Sequence, residues 1–178
     1  MKMKSIAMAS LVALGLVSAA QAADQGHGKV TFTGSIIEAP CSISPKSIDQ
    51  TVPLGQIANV ALVKGGKSDP QVFNILLTNC DVTNLTKGVQ LTFSGAAAAF
   101  DQANQTLGIV GTGSGAGVQI TNGSGQVVTL GTPTPFQNIQ AGNNTLNFAA
   151  YLIGNGGDLS TIKAGEFSSV ADFTLSYQ

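Results

Sequence analysis

The chain has 178 residues, of which 43% are hydrophobic and only 10% charged, with a formal net charge of −1, 22 Gly, 2 Cys, 1 His and no Trp. All 8 basic residues are Lys, scattered from Lys2 to Lys163. No basic patch or Arg fork exists to neutralise a phosphate backbone, which excludes nucleic-acid binding. The length suits one domain, and a domain of about 150 residues buries roughly 68–70% of its unfolded surface, so its core needs no metal or dense disulfide scaffold.

Taken in chain order, Lys2 and Lys4 precede an apolar run from Ile6 to Ala20, and Ala20-Gln21-Ala22 has the small residues of an A-x-A cleavage site. The run is shorter than the roughly 20 residues needed to span a bilayer. Residues 1–22 therefore read as a secretory signal peptide, with the mature, more acidic chain expected to begin at Ala23. Export places Cys41 and Cys80 in an oxidising compartment, where two thiols in a small domain pair; both adjoin apolar strand patterns, so the bridge should tie two strands of the core.

Beyond the signal, apolar residues recur with period two. Gly26, Gly28, Val30, Phe32 and Gly34 share one parity against His27, Lys29, Thr31 and Thr33, a β segment that its glycines weaken as an autonomous strand. Ala58 to Lys64 allows a turn or two of helix, and Val72 to Leu77 is almost continuously apolar, fitting a strand buried on both faces. Val89, Leu91 and Phe93 alternate with polar residues, as do Val118 and Ile120. The Gly-rich stretch Gly111–Gly117 reads as a flexible loop and Asn122–Gly125 as a hairpin turn. Leu146, Phe148, Ala150 and Leu152 share a parity, and so do Ala171, Phe173, Leu175 and Tyr177. Half-buried antiparallel strands carry this alternation, and seven or more in such a length predict an all-β sandwich.

Several motifs look chemical without supporting chemistry. Gly111, Gly113 and Ala116 match a dinucleotide fingerprint, but strand pattern follows where the phosphate-binding helix should start. The Asn-x-Ser/Thr sequons at Asn84, Asn104, Asn122 and Asn143 read as turns. No Cys or second His adjoins His27, so no metal set forms around it and no catalytic triad has its base on a rigid element. Nothing in the spacing of the acids selects a catalytic carboxylate pair. The sequence predicts neither an enzyme nor a cofactor.

In order behind the signal segment stand Gly28-Lys29-Val30-Thr31-Phe32-Thr33-Gly34, Ala39-Pro40-Cys41-Ser42-Ile43, Gln50-Thr51-Val52-Pro53-Leu54-Gly55-Gln56, Asn79-Cys80-Asp81, and Phe167-Ser168 followed by Ala171–Gln178. Together with the penultimate Tyr177 and with Gly165, fourteenth when Gln178 counts as first, the mature chain resembles the major subunits of chaperone–usher fimbriae, the pilins of the P and type 1 kind. The resemblance implies an incomplete immunoglobulin-like β-sandwich lacking its last strand, with residues 35–178 as the pilin domain and residues 23–34 as an N-terminal donor-strand arm. It implies that Gly26, Gly28, Val30, Phe32 and Gly34 are donated to a neighbour. It implies further that Gly165, Ala171, Phe173, Leu175, Tyr177 and Gln178 form the C-terminal strand beside the groove, gripped first by a periplasmic chaperone. At an outer-membrane usher the arm of the next identical or related subunit then takes the chaperone's place, by strand addition. Head-to-tail addition of this kind gives an open filament.

The function so implied is structural: the repeating subunit of an adhesive surface pilus, exported through the periplasm to the cell surface. Two other readings stay open, a minor or adaptor subunit of such a pilus and a self-contained, exported carbohydrate-binding β module. The second is disfavoured by composition, since sugar sites are often lined by aromatics and this chain offers no Trp and only Tyr151 and Tyr177.

Overall fold

The computed structural model describes residues 27–178; the expected signal segment 1–22, the start at Ala23 and Gly26 lie outside the described residues. The chain divides into two units, Met1–Ile37 and Glu38–Gln178. Within the first, residues 27–37 form no strand or helix, and Val30 and Phe32 are 75% and 90% exposed. The alternation of this segment is a potential for strand structure only: a strand exists as a member of a ladder, and Gly28 and Gly34 contribute no side chain that could anchor one.

The second unit holds nine strands: β1 (Ser42–Ile43), β2 (Gln71–Cys80), β3 (Val89–Ser94), β4 (Thr106–Gly108), β5 (Val110–Gly111), β6 (Ala116–Asn122), β7 (Gly142–Gly154), β8 (Phe167–Ser168) and β9 (Asp172–Tyr177). One sheet runs β1-β2-β7-β6-β4, the second pairs β3 with β9, and a small ladder joins β5 to β8. All the ladders are antiparallel. Between the two sheets lies an apolar core containing Ile75, Leu77, Leu91, Phe93, Ile120 and Phe148. Its centre is aromatic: Phe73 stacks on Phe148 with ring centroids 5.7 Å apart, and Phe93 meets Phe148 edge-on at 5.0 Å. Such pairs add about 0.5–1.5 kcal/mol beyond the area they bury.

Cys41 and Cys80 are joined as a disulfide, as expected from export. It binds the residue preceding β1 to the last residue of β2, beside the two-residue β1–β2 ladder. The helical turns are short: α1 (Pro45–Ile48) and 3-10 segments at Asn59–Gly65 and Leu159–Thr161. Asn122 closes the predicted hairpin turn, its Oδ1 accepting from the amides of Ser124 and Gln126 at 3.0 and 2.9 Å.

Two expectations are corrected. Val72 to Leu77 is not buried on both faces: Ile75 and Leu77 point inward, whereas Val72 is 80% exposed on the other face of the sheet. A continuous apolar run hides the true alternation when the outward positions also carry aliphatic residues. Nor is Gly111–Gly117 a loose loop. It contributes β5 and the start of β6, and the amides of Thr112 and Gly113 both donate to the carbonyl of Glu166 at 3.0 Å. A Cβ at Gly113 would lie 2.9 Å from the Gly165 carbonyl oxygen, and one at Gly165 would overlap the main chain of Thr112 and Gly113. The glycines serve a close crossing of two backbones.

The outward face of the larger sheet carries a polar row. Tyr151 Oη donates to Gln119 Oε1 at 2.7 Å, Gln119 Nε2 donates to Thr106 Oγ1 at 3.0 Å, and Lys67 Nζ donates to Tyr151 Oη at 3.2 Å. Thr106, Gln119 and Tyr151 are buried and stand opposite one another across β4, β6 and β7.

Candidate functional site

The sandwich is open along one side. β9 pairs with β3 alone, so its other edge has no strand beside it among the described residues. The far edge of β3 is already occupied, because Val89 exchanges main-chain bonds with Gln137, and the Thr134 amide donates to the Leu91 carbonyl at 2.7 Å. Facing β9 across the opening runs an irregular stretch, residues 50–57. Among the described residues no main-chain hydrogen bond ties this stretch to a neighbour, and Gln50 Nε2 to the Asn74 carbonyl at 3.3 Å is its side-chain tether.

Between these two edges lies a groove of about 1230 Å³. Val118 and Ile120 of β6 and Ala150 and Leu152 of β7 form its floor, Phe173 of β9 with Ala171 just before that strand one wall, and Val52, Leu54 and Ile57 the other. Gly113, Ile162 and Gly165 lie along the rim where the two glycine backbones cross. Small residues at positions 113, 116, 150, 165 and 171 keep space open that larger side chains would fill. Apolar lining between two unpaired main-chain edges is the arrangement that an extended peptide can complete, its main chain satisfying the edges and its alternate side chains entering the core.

The structure distributes the sequence-predicted residues unequally. Gly165, Ala171 and Phe173 line the groove. Leu175 and Tyr177 follow on the same face of β9 but pack against the core beyond the groove. The Tyr177 hydroxyl is buried without a hydrogen-bond partner, and burial pushes its pKa above the ordinary 10.0. The main-chain oxygen of Gln178 accepts from the amides of Thr86, Lys87 and Gly88 at 2.9, 2.7 and 2.9 Å, so the end of β9 is anchored to the loop that leads into β3. Gly28, Val30, Phe32 and Gly34 belong to the other unit of the chain. The 50–57 wall and the floor from β6 and β7 are site elements that alternation did not mark as such. Among the described residues, the carboxyls of Asp81 and Asp101 are held below their ordinary range, owing to hydrogen bonds with Thr83 and Thr106 respectively; neither lines the groove.

A family model described as fimbrial protein matches residues 30–178, the whole of the sandwich and part of the segment that precedes it. The chain belongs to the fimbrial protein family. Among its fimbrial relatives, the Fimbria A protein of Serratia marcescens is 54% identical over 178 residues, covering 100% of both chains. The major MR/P fimbria protein of Proteus mirabilis is 47% identical over 179 residues, again with 100% of both covered. Among solved structures, the P pilus rod subunit PapA superposes with a TM-score of 0.70 at 32% identity, covering 79% of this chain and 100% of that one. A subunit from a chaperone–usher pilus, solved in connection with rod uncoiling, gives a TM-score of 0.76 at 34% identity, covering 86% and 97% of the two chains. The fold of this fimbrial protein is the immunoglobulin-like sandwich of those pilins.

Proposed function

We propose that this chain is the repeating rod subunit of a chaperone–usher pilus and polymerises by donating residues 23–34 to the groove of a neighbouring copy. The observation that carries this reading is the groove itself: an apolar slot bounded by the free edge of β9 and the unpaired 50–57 stretch. The same chain carries an occupant of suitable chemistry, with Val30 and Phe32 exposed and alternating with polar residues. Each copy then supplies one arm and one groove, a heterologous interface that propagates without closing. The names of the fimbrial relatives favour a major subunit. Until a neighbour's arm arrives, the free edge needs a temporary cover, the role assigned to a periplasmic chaperone, with an outer-membrane usher as the place of exchange. Such a subunit acts as a material and has no catalytic step.

A carbohydrate-binding role draws less support. Tyr151 is buried, with its hydroxyl engaged by Gln119 and Lys67, so it presents no ring for a sugar to stack on. The test is electron microscopy of cells producing the full chain with a fimbrial chaperone and usher. Fibres are expected from the wild type and none from a chain lacking residues 23–34, whose signal peptide is retained. Fibres of undiminished length from the truncated chain would refute the donor-arm assignment.

A further inference from the structure

If arms link subunits, as proposed above, every subunit in a pulled filament bears tension at two places: the root of its own arm and the groove holding its neighbour's arm. The arm enters the sandwich at Pro40 and Cys41. From there the chain lies along the edge of β2 through contacts arranged in series. Ser42 and Ile43 register with Thr78 and Leu77. Next, the Ser44 amide donates to the Leu76 carbonyl, and the Ser47 hydroxyl accepts from the Leu76 amide, both at 2.9 Å. Gln50 then reaches the Asn74 carbonyl. Immediately afterwards comes the 50–57 stretch, which is a wall of the groove and has no main-chain hydrogen bond of its own among the described residues. A pull on Cys41 through this route would break the contacts one after another and then drag away the wall that holds the neighbour.

The disulfide offers a second route. Cys80 ends β2, whose residues Gln71–Leu77 register with β7 in the middle of the five-stranded sheet. Beside the covalent link, the Asp81 amide donates to the Pro40 carbonyl at 2.9 Å. Force entering at Cys41 crosses directly to the end of β2 and bypasses everything between the two cysteines. We propose that the Cys41–Cys80 bond is the tension path of the filament, isolating each subunit's groove wall from the load on its own arm. This gives the bridge a role under force distinct from its contribution to folding stability.

Two measurements test this. First, fibres of the wild type and of the double variant Cys41→Ala/Cys80→Ala are held at constant force, and their rupture lifetimes are compared with unloaded exchange against a synthetic peptide of residues 26–37. Loss of the bridge is expected to shorten the loaded lifetime at least about tenfold, while unloaded exchange changes by less than about twofold. Subunit unfolding traces verify that the bridge is absent, because the 39-residue separation between the cysteines adds about 130–140 Å of extensible chain. Equal effects with and without load, or none under load, would overturn the proposal. Should the double variant fail to assemble, wild-type fibres reduced under force give the same comparison.

Second, the load point is moved within the cysteine-free background, using a handle on Lys29→Cys in the arm or on Asp81→Cys beyond the bypassed segment. Pulling from position 81 should restore a lifetime about tenfold longer than pulling from position 29. Equal lifetimes from the two handles would overturn the proposal even if the first comparison succeeded. Failure of the wild-type chain to form any fibre overturns the donor-arm reading and this proposal with it; equal load sensitivity overturns this proposal alone.

Discussion

Truncating Phe32 to Ala separates the energetics of the subunit from those of the filament. Phe32 is 90% exposed in its own chain, so its loss leaves the subunit's core intact, and such surface changes usually fall within about 0.5 kcal/mol. Seated in a neighbour's groove, the same ring leaves water: Phe buries about 150–250 Å², which at about 25 cal/mol per Å² is worth roughly 4–6 kcal/mol. Phe→Ala changes in packed cores cost about 3–5 kcal/mol. Even the lower figure shortens the life of a subunit pair by about a hundredfold or more. The assay places thermal unfolding of the chaperone-bound subunit beside the exchange rate of assembled fibres. Unchanged unfolding with at least a hundredfold faster exchange is expected. A loss of several degrees in the chaperone-bound subunit's Tm, or fibres exchanging at the wild-type rate, would show that Phe32 packs in its own sandwich or in no groove at all. Gly28→Ile in the same assay should preserve the subunit, since a Cβ there meets nothing within 4 Å in its own chain, yet overpack the neighbour's groove by about 1–3 kcal/mol.

Three further outcomes follow from local geometry. Gly165→Val forces a side chain into the Thr112–Gly113 backbone; it should lower subunit stability by at least about 1–3 kcal/mol in denaturant melts and reduce arm binding together with it. Tyr151→Phe removes the hydroxyl that joins Lys67 to the buried Gln119, leaving an amide acceptor unsatisfied, at an expected cost of about 1–3 kcal/mol in the same melts. Burial favours the neutral Tyr177 phenol, so its contribution is complete below pH 10 and is lost as the pH climbs from there through the raised folded pKa. Alkaline unfolding should therefore be shallower in Tyr177→Phe, which also removes a buried hydroxyl that lacks a partner and should leave neutral-pH stability equal or higher.

Where one face of a strand is buried and the other wet, the sequence announces it. Val89, Leu91 and Phe93, or Leu146, Phe148, Ala150 and Leu152, could be assigned to the core before any coordinates, because period-two burial is the physical reason for their alternation. Of the C-terminal residues that the fimbrial motifs singled out, Ala171 and Phe173 line the groove, while Leu175 and Tyr177 pack beyond it. Other parts were illegible for definable reasons. Glycine carries no pattern, so the Gly113–Gly165 crossing could not be told from a flexible linker. The 50–57 wall lacks a regular ladder, and periodicity is silent about irregular extended chain. The Thr106–Gln119–Tyr151 row depends on the order and register of strands far apart in sequence, which no local window contains.

The pairing of β9 with β3 also orders events in time. Val89 registers with Tyr177, and β2 registers with β7, whose Ala150 and Leu152 belong to the groove floor, contacts between segments remote along the chain. Loops of that size are slow to close, and ladders built on them form after local structure has been sampled. β9 follows every other described strand in chain order and pairs with β3 alone, so the free edge bounding the groove cannot appear until the chain has been delivered through β9 and β9 has found β3. A protein that grips this edge thereby responds to a pairing that spans the chain from β3 to its last described strand. A stalled or truncated chain, however well its first strands have folded, has no such handle to offer.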